Sequence, residues 1–338
     1  MRAVQFARFA DPAAVLEVVE LPDPPAPGPG EVRLAFEAAP INPSDLLTVR
    51  GEYGTRPELP ATPGYEGVGR VTDVGDGVRH LAPGDRVLLM TVRGTWRSAA
   101  TVGAARLFAL PDADPLQLAM LTANPPTALL MLELFGPGGA PLGAGDWVAQ
   151  NAANSGVGAA LIAVARERGL RTLNVVRRES AVAEVEALGG DAVLVDGPDL
   201  AKRARSVLEA AGAHARTAVK LGIDAVGGQA TARLARCVAD GGTVVSYGSM
   251  SEEACVIEPR ETIFRDVSLR GFWLTRWIAG AQPGELARVF GTVGRMVAEG
   301  RLKVPVAATY PLSQAREACA HAARGERGGK VLLVADAA

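Results

Sequence analysis

The residues Asn151-Ala152-Ala153-Asn154-Ser155-Gly156-Val157-Gly158 follow a short segment of strand character, Asp146–Gln150, and run into a helical pattern from Ser155 to Arg168. Small residues between a strand and a helix let the backbone approach a pyrophosphate, whose charge then meets helix N-terminal N–H groups and the macrodipole. The strict G-x-G-x-x-G spacing is absent, so the loop taken alone also fits a helix start packed tightly on its sheet. A second feature bears on the same chemistry. The next strand, Asn174-Val175-Val176, ends in Arg177-Arg178. An NAD-binding fold places an acid there for the ribose 2′-hydroxyl. Guanidinium groups instead suit a 2′-phosphate through charge-assisted, often bidentate bonds. The expected cofactor is therefore NADPH rather than NADH, the alternative being two solvated loop charges.

Metal chemistry finds little support. The three cysteines, Cys237, Cys255 and Cys319, are scattered, and His80, His214 and His321 stand alone in sequence. Odd, unpatterned cysteines point to a reducing compartment, with the cytoplasm as the default. Of 338 residues 48% are hydrophobic and 21% charged, with a formal net charge of −2, which leaves no basic field for nucleic acid or anionic lipid. No apolar stretch reaches the ~18 residues a bilayer needs. The start, Met1-Arg2-Ala3-Val4-Gln5-Phe6, lacks a charged leader followed by an apolar run, so no signal peptide is expected.

The elements that must position these residues fall into two rhythms, as the length prior for two domains anticipates. The first 120 or so residues are β-rich, with Val-rich segments Val15–Val19, Glu31–Ala38, Gly67–Val74 and Val87–Met90 set off by Pro and Gly. After about Asn124, strands at Asp146–Gln150, Thr172–Val176, Ala192–Val195, Ala218–Asp224, Thr243–Tyr247 and Val267–Phe272 alternate with helical patterns. These are Ser155–Arg168, Ala181–Leu188, Leu200–Ala211 and Ala230–Val238. Such alternation predicts βαβ units and a parallel sheet covered on both faces. Leu286–Val297 reads as a further helix, and Val304–Val334 as a mixed tail that returns to the first domain.

The assembled chain resembles the medium-chain dehydrogenase/reductase superfamily and, within it, the 2-enoyl thioester reductases that include the mitochondrial enoyl-[acyl-carrier-protein] reductases. The carrying segments are Ile41-Asn42-Pro43-Ser44-Asp45, Gly51-Glu52-Tyr53-Gly54, Gly94-Thr95-Trp96-Arg97, Gln150 to Gly158, Asn174 to Arg177, Tyr247-Gly248-Ser249-Met250 and Leu269-Arg270-Gly271-Phe272-Trp273-Leu274. The resemblance implies an α/β fold, a doubly wound Rossmann sheet inserted in a GroES-like β-rich catalytic domain. Residues 1–124, completed by about 275–338, would form the catalytic domain, and 125–274 the NADPH-binding domain.

Carried over residue by residue, the resemblance puts Asn154, Ser155, Gly156 and Val157 at the pyrophosphate and Asn124 beside the nicotinamide. Arg177 and Arg178 would hold the 2′-phosphate, Tyr247, Gly248, Ser249 and Met250 with Phe272, Trp273 and Leu274 would line the cofactor further along, and Lys330 would close over it. Glu179 stands where the family often has a third basic residue, and Ser249 where a glycine is common. Zinc-dependent relatives carry a Cys and a Gly-His-Glu motif where this chain has Asn42-Pro43-Ser44-Asp45 and Gly64-Tyr65-Glu66, so a zinc-free site is expected. Without that Lewis acid, oxidation of a simple alcohol lacks its usual electrophile.

The implied reaction adds hydride to Cβ of an enoyl thioester and a proton to Cα. The resemblance makes Tyr53 the proton donor; a phenol with its ordinary pKa of ~10 is protonated at neutral pH. The implied partners are a small-molecule or carrier-bound enoyl thioester and a second copy of the chain, the two sheets joined along Val267–Phe272. Two other functions stay open on sequence: a quinone or enone reductase of the same fold, and a non-catalytic NADPH-binding protein.

Overall fold

In the computed structural model, which describes residues 1–90, 92–214, 216–324 and 327–336, the chain forms two units. One comprises Met1–Ala123 with Phe290–Ala338, the other Asn124–Val289.

The first unit begins with β1 (Arg2–Gln5) and a short helix, α1 (Pro12–Val15). Strand β2 (Glu17–Glu20) then pairs antiparallel with β1. The strand expected at Val15–Val19 thus starts later. Asp11 accepts the N–H of Ala13 at 2.9 Å and Pro12 sits in the first helical turn, a capped start that local valine content outweighed on sequence. The long strand β3 (Glu31–Pro40) is followed by α2 (Pro43–Arg50) and by β4 (Val68–Val74), β5 (Arg86–Leu88), β6 (Ala99–Gly103), β7 (Phe108–Ala109) and α3 (Pro115–Ala119). From Glu31 to Ala38 buried and half-buried positions of β3 alternate, as a strand with one face on a core requires, and Ala39 and Pro40 at its end are buried as well.

The second unit opens with α4 (Asn124–Leu134). Strands β8 (Trp147–Gln150), β9 (Arg171–Val176), β10 (Ala192–Val195), β11 (Val219–Asp224), β12 (Thr243–Ser246) and β13 (Ser268–Gly271) follow. Between them run α5 (Gly156–Glu167), α6 (Val182–Ala187), α7 (Leu200–Ala210) and α8 (Gly228–Cys237). Among the described residues the strands make one parallel sheet in the order β10-β9-β8-β11-β12-β13, the doubly wound arrangement whose direction reverses between β8 and β11. The strand expected at Val267–Phe272 is therefore the edge strand β13. Trp147, Ala149, Leu173, Val175, Leu234 and Val244 lie in its core, each worth ~1.5–3 kcal/mol of burial for the larger side chains.

After α9 (Leu274–Gly280) and α10 (Pro283–Ala298) the chain returns to the first unit. The sequence placed that return at about 275, and the division falls at Phe290, inside α10. Arg288 on the first half of α10 holds Glu133 of α4 at 2.8 Å, which keeps that half with the second unit. Strand β14 (Val306–Pro311), α11 (Ala315–Ala323) and β15 (Lys330–Val334) complete the first sheet, in the order β14-β15-β3-β4-β5-β7 with β6 also on β3. Phe6, Ile41, Trp96, Leu312 and Val331 share one of its cores, so both ends of the chain pack together there.

Candidate active site

All strands of the second sheet run the same way, so their carboxyl ends share one edge. That edge carries the loop Asn151–Ser155 after β8, Arg177 and Arg178 after β9, Tyr247–Met250 after β12, and Phe272–Leu274 after β13. Ser155 caps α5, its Oγ accepting the N–H of Gly158 at 3.1 Å. The N–H groups of Gly156 and Val157 belong to a first turn that has no intrahelical acceptors, which is what an anion needs. A Cβ on Gly158 would stand 2.3 Å from the carbonyl oxygen of Ala153, so only glycine lets the helix start this close to the loop.

Buried amides and a carboxylate fix that loop. Gln150 Nε2 donates to Asn174 Oδ1 at 2.8 Å and to Gly158 O at 3.1 Å, and Asn174 Nδ2 donates to Thr172 Oγ1 at 2.9 Å. Asn151 Nδ2 donates to Asp224 Oδ1 at 2.6 Å while Asn151 Oδ1 accepts the N–H of Ala225 at 2.7 Å. Asp224 also accepts from Thr231 Oγ1 at 2.7 Å and from the N–H groups of Val226 and Gly227. The loops after β8 and β11 are thereby tied to each other. Sequence reasoning missed this network, although a Gln, an Asn and an Asp at the ends or middle of apolar strands were its visible signal.

Arg177 is exposed and Arg178 half-buried at the end of β9, with Glu179 exposed beside them. The Tyr247 and Ser155 hydroxyls hydrogen-bond, and burial pushes the Tyr247 phenol up, with Asp224 adding to the shift. Tyr247 N–H bonds Asp224 O and Met250 N–H bonds Ala225 O, so this stretch is pinned to β11 while the Ser249 and Met250 side chains stay exposed. Phe272 stacks edge-on against Phe135 at 5.9 Å, and Trp273, 44% exposed, precedes Leu274 at the start of α9. Asn124 is 8% exposed, and its Nδ2, buried, has no hydrogen-bond partner. A buried donor left unmatched is costly unless a bound group meets it, and a carboxamide oxygen is one that would. These residues fit a phosphorylated dinucleotide.

In the first unit Tyr53 lies half-buried in the turn after α2, whose C-cap is Gly51. Nearby, four buried polar residues form a cluster. Asn42 Nδ2 donates to Glu66 Oε1 at 2.6 Å, the N–H of Ala123 to Glu66 Oε2 at 2.8 Å, and the N–H of Asn42 to Asp45 Oδ2 at 2.7 Å. Lys330 Nζ donates to Asn42 Oδ1. The Lys330 ammonium, expected to close over a cofactor, is thus engaged with Asn42 inside its own unit and is only 5% exposed. Burial pushes the Asp45 carboxyl up to about 7, the Asn42 N–H opposing and the Glu66 carboxylate adding. Burial likewise raises Glu66 and lowers Lys330, each partly offset by the other's charge.

Among the described residues, no three His, Cys, Asp or Glu side chains group as a metal site. His80 bonds Ala104 O at 3.1 Å and His321 bonds the Tyr310 hydroxyl at 3.0 Å. Nor is any described helix long and apolar enough to cross a membrane.

A Rossmann sheet in a segment inserted, in sequence, between the two chain ends that make the other unit defines the medium-chain dehydrogenase/reductase class. Residues 28–112 match the alcohol dehydrogenase GroES-like domain, and residues 188–333 match the zinc-binding dehydrogenase family. The enoyl-[acyl-carrier-protein] reductase, mitochondrial, of Bos taurus is 36% identical over 322 residues, covering 92% of this chain and 83% of the relative. The chain belongs to the family of mitochondrial enoyl-[acyl-carrier-protein] reductases. Among solved structures, an Etr1p complex with NADP and crotonyl-CoA is 25% identical with a TM-score of 0.85, covering 98% of this chain and 99% of that one. The mitochondrial 2-enoyl thioester reductase Etr1p/Etr2p heterodimer from Candida tropicalis gives 26% and 0.85 over the same shares, 98% and 99%. A quinone oxidoreductase of Pseudomonas syringae pv. Tomato DC3000 gives 27% and 0.83, again over 98% and 99%.

Proposed function

We propose that this chain uses NADPH to reduce the carbon–carbon double bond of trans-2-enoyl thioesters carried on CoA or acyl carrier protein. The observation that carries the reading is the carboxyl edge of the second sheet, where an anion-accepting helix start lies one strand from Arg177 and Arg178. Ser155, Gly156 and Val157, with Asn154, hold the pyrophosphate, and the two arginines bind the 2′-phosphate through charge-assisted bonds. Asn124 offers its unmatched amide to the nicotinamide end. Tyr247–Met250 and Phe272–Leu274 line the cofactor between. Bound NADPH supplies the hydride that adds to Cβ. Tyr53 gives the proton to Cα, so that the negative charge developing on the thioester oxygen collapses into the saturated product.

A second reading has its own support, since the Pseudomonas syringae quinone oxidoreductase shares the fold. Rates of NADPH oxidation with a series of trans-2-enoyl-CoAs and with 1,4-benzoquinone separate the two. The thioester reading expects a much larger kcat/KM for at least one enoyl-CoA; a preference for the quinone replaces it. Zinc-independence is part of the proposal. Activity should survive extensive chelation, and elemental analysis that finds one tightly held zinc per chain, with activity lost on its removal, contradicts it.

The proposed assembly is a homodimer joined along β13. That strand is exposed at every position, Leu269 on it is 37% exposed, and Ile263 and Phe264 just before it are 68% and 81% exposed. Pairing would cover both an open edge and an apolar patch. A monomeric mass in solution would refute it. A reducing compartment, with the cytoplasm proposed, suits three free thiols of which Cys237 and Cys319 are buried and raised by that burial.

A further inference from the structure

Tyr53 has a second phenol against it. The rings of Tyr53 and Tyr65 stand 5.5 Å apart between centroids, tilted by 48°. Tyr65 is held at three points. Its hydroxyl lies 2.9 Å from Thr48 Oγ1, and Thr48 Oγ1 donates to Ser44 O at 2.8 Å. A hydroxyl has one proton to give, and Thr48 gives its own to Ser44, so Tyr65 must be the donor to Thr48. The Arg93 guanidinium sits over the Tyr65 ring at 5.7 Å. The backbone is fixed as well: Gly64, with φ of +106°, takes a conformation closed to other residues, and a Cβ there would meet Thr95 Oγ1 at 2.2 Å. On the other side, Glu66 is anchored by Asn42 and Ala123.

Ser44 and Thr48 belong to α2, and the turn after α2 carries Tyr53. Tyr65 therefore braces Tyr53 against the same helix from which Tyr53 departs. Its own proton is engaged with Thr48, so it is not a rival donor. We infer that Tyr65 is a positioning residue that sets the ring orientation of Tyr53, and that Thr48 locks it there. The inference rests on the reading of Tyr53 as proton donor. A misplaced general acid loses rate without loss of cofactor affinity, because the barrier depends on the reach of one proton.

The experiment is a double-mutant cycle on enoyl-CoA turnover with the full chain, read as kcat, KM for NADPH and Tm. Tyr65→Phe keeps the ring and should hold kcat within about threefold of wild type, whereas Tyr65→Leu should lower it by roughly tenfold. KM for NADPH should stay within about twofold in both. In a Tyr53→Phe background the further loss on adding Tyr65→Leu should shrink to less than about twofold, since there is no donor left to aim. An equal loss in both backgrounds, or none in either, overturns the inference. If Tyr65→Leu lowers Tm markedly, Tyr65→Met, which also removes the ring but fills its space with a longer, adaptable side chain, takes its place in the cycle. Tyr53→Phe with wild-type turnover would sink the donor assignment and the Tyr65 role together; an impaired Tyr53→Phe beside an unaffected Tyr65→Leu sinks the second alone.

Discussion

Two aspartates, one in each unit, are fully buried at 0% exposure and are treated differently by their surroundings. Asp224 in the second unit receives donors from Asn151 Nδ2, Thr231 Oγ1 and the N–H groups of Val226 and Gly227. Asp45 in the first receives the N–H of Asn42 on Oδ2, while Oδ1 has no hydrogen-bond partner. Its neighbours include a second buried carboxylate, Glu66, and one ammonium, Lys330. The two differ in their supply of donors: Asp224 uses its hydrogen bonds to tie two loops together, while burial with few donors raises the Asp45 carboxyl. The second unit is wired with neutral amides and hydroxyls to hold a ligand in place. The first carries its buried charge close to the residues proposed for chemistry.

That division of labour can be broken at several points. The largest expected effect is that of Tyr53→Phe, which removes one hydroxyl and should cut kcat by ~10²–10⁴-fold while leaving NADPH affinity intact. Steady-state kinetics beside an NADPH titration checks it, and turnover within about twofold of wild type would make Tyr53 a packing residue. On the binding side, Arg177→Ala with Arg178→Ala should raise KM for NADPH by on the order of 10- to 100-fold, through loss of charge-assisted bonds, and barely move that for NADH. Equal effects on the two cofactors would show that the arginines do not read the 2′-phosphate.

Smaller effects test the aspartates themselves. Asp224→Ala strands several buried donors and should cost about 3 kcal/mol, a fall in Tm of roughly 6–12 °C, together with weaker NADPH binding. A thermal melt unchanged by the substitution would mean that the loops hold without it. Asp45→Asn should show the least at acid pH. The folded Asp45 carboxyl is raised to about 7. Because an unfolded aspartate titrates at ~4, Asp45's contribution is fully present below that pH and is lost as pH rises through the folded value. The variant should therefore melt like wild type at acid pH and above it from neutrality upward. The same Tm difference at every pH would show that Asp45 does not titrate in this window.

The alternation of strands and helices from β8 to β13 was legible because parallel strands buried on both faces must be apolar runs, and the helices between them carry their own period. Likewise, the loop Asn151–Gly158 announced itself through its small residues. What escaped the sequence depends on contacts between residues far apart in it. Lys330 and Asn42 lie 288 positions apart, and nothing local to either foretells their bond. The pairing of Tyr53 with Tyr65 requires knowing how the turn after α2 lies against the segment before β4. At α1, a cap formed by Asp11 and Pro12 overrode the valine-rich pattern that suggested a strand. The return to the first unit was misplaced because α10 is one uninterrupted helix, and its sequence carries no mark where its allegiance changes.

The first sheet is closed by its last-made strand. β15 pairs with β3 on one side and β14 on the other, and Arg2 bonds Asp336 at 2.6 Å, so the start of the chain waits for its end. The second unit, a single continuous segment, has all its strands in hand well before then. During synthesis, with the N-terminal end emerging first, the dinucleotide-binding unit can complete itself on the ribosome while the Ala38–Pro40 end of β3 lacks its partner, β6 covering only Glu31–Ala35. That short apolar edge, open for the time it takes to translate more than half the protein, makes the first unit the part that most needs chaperone cover.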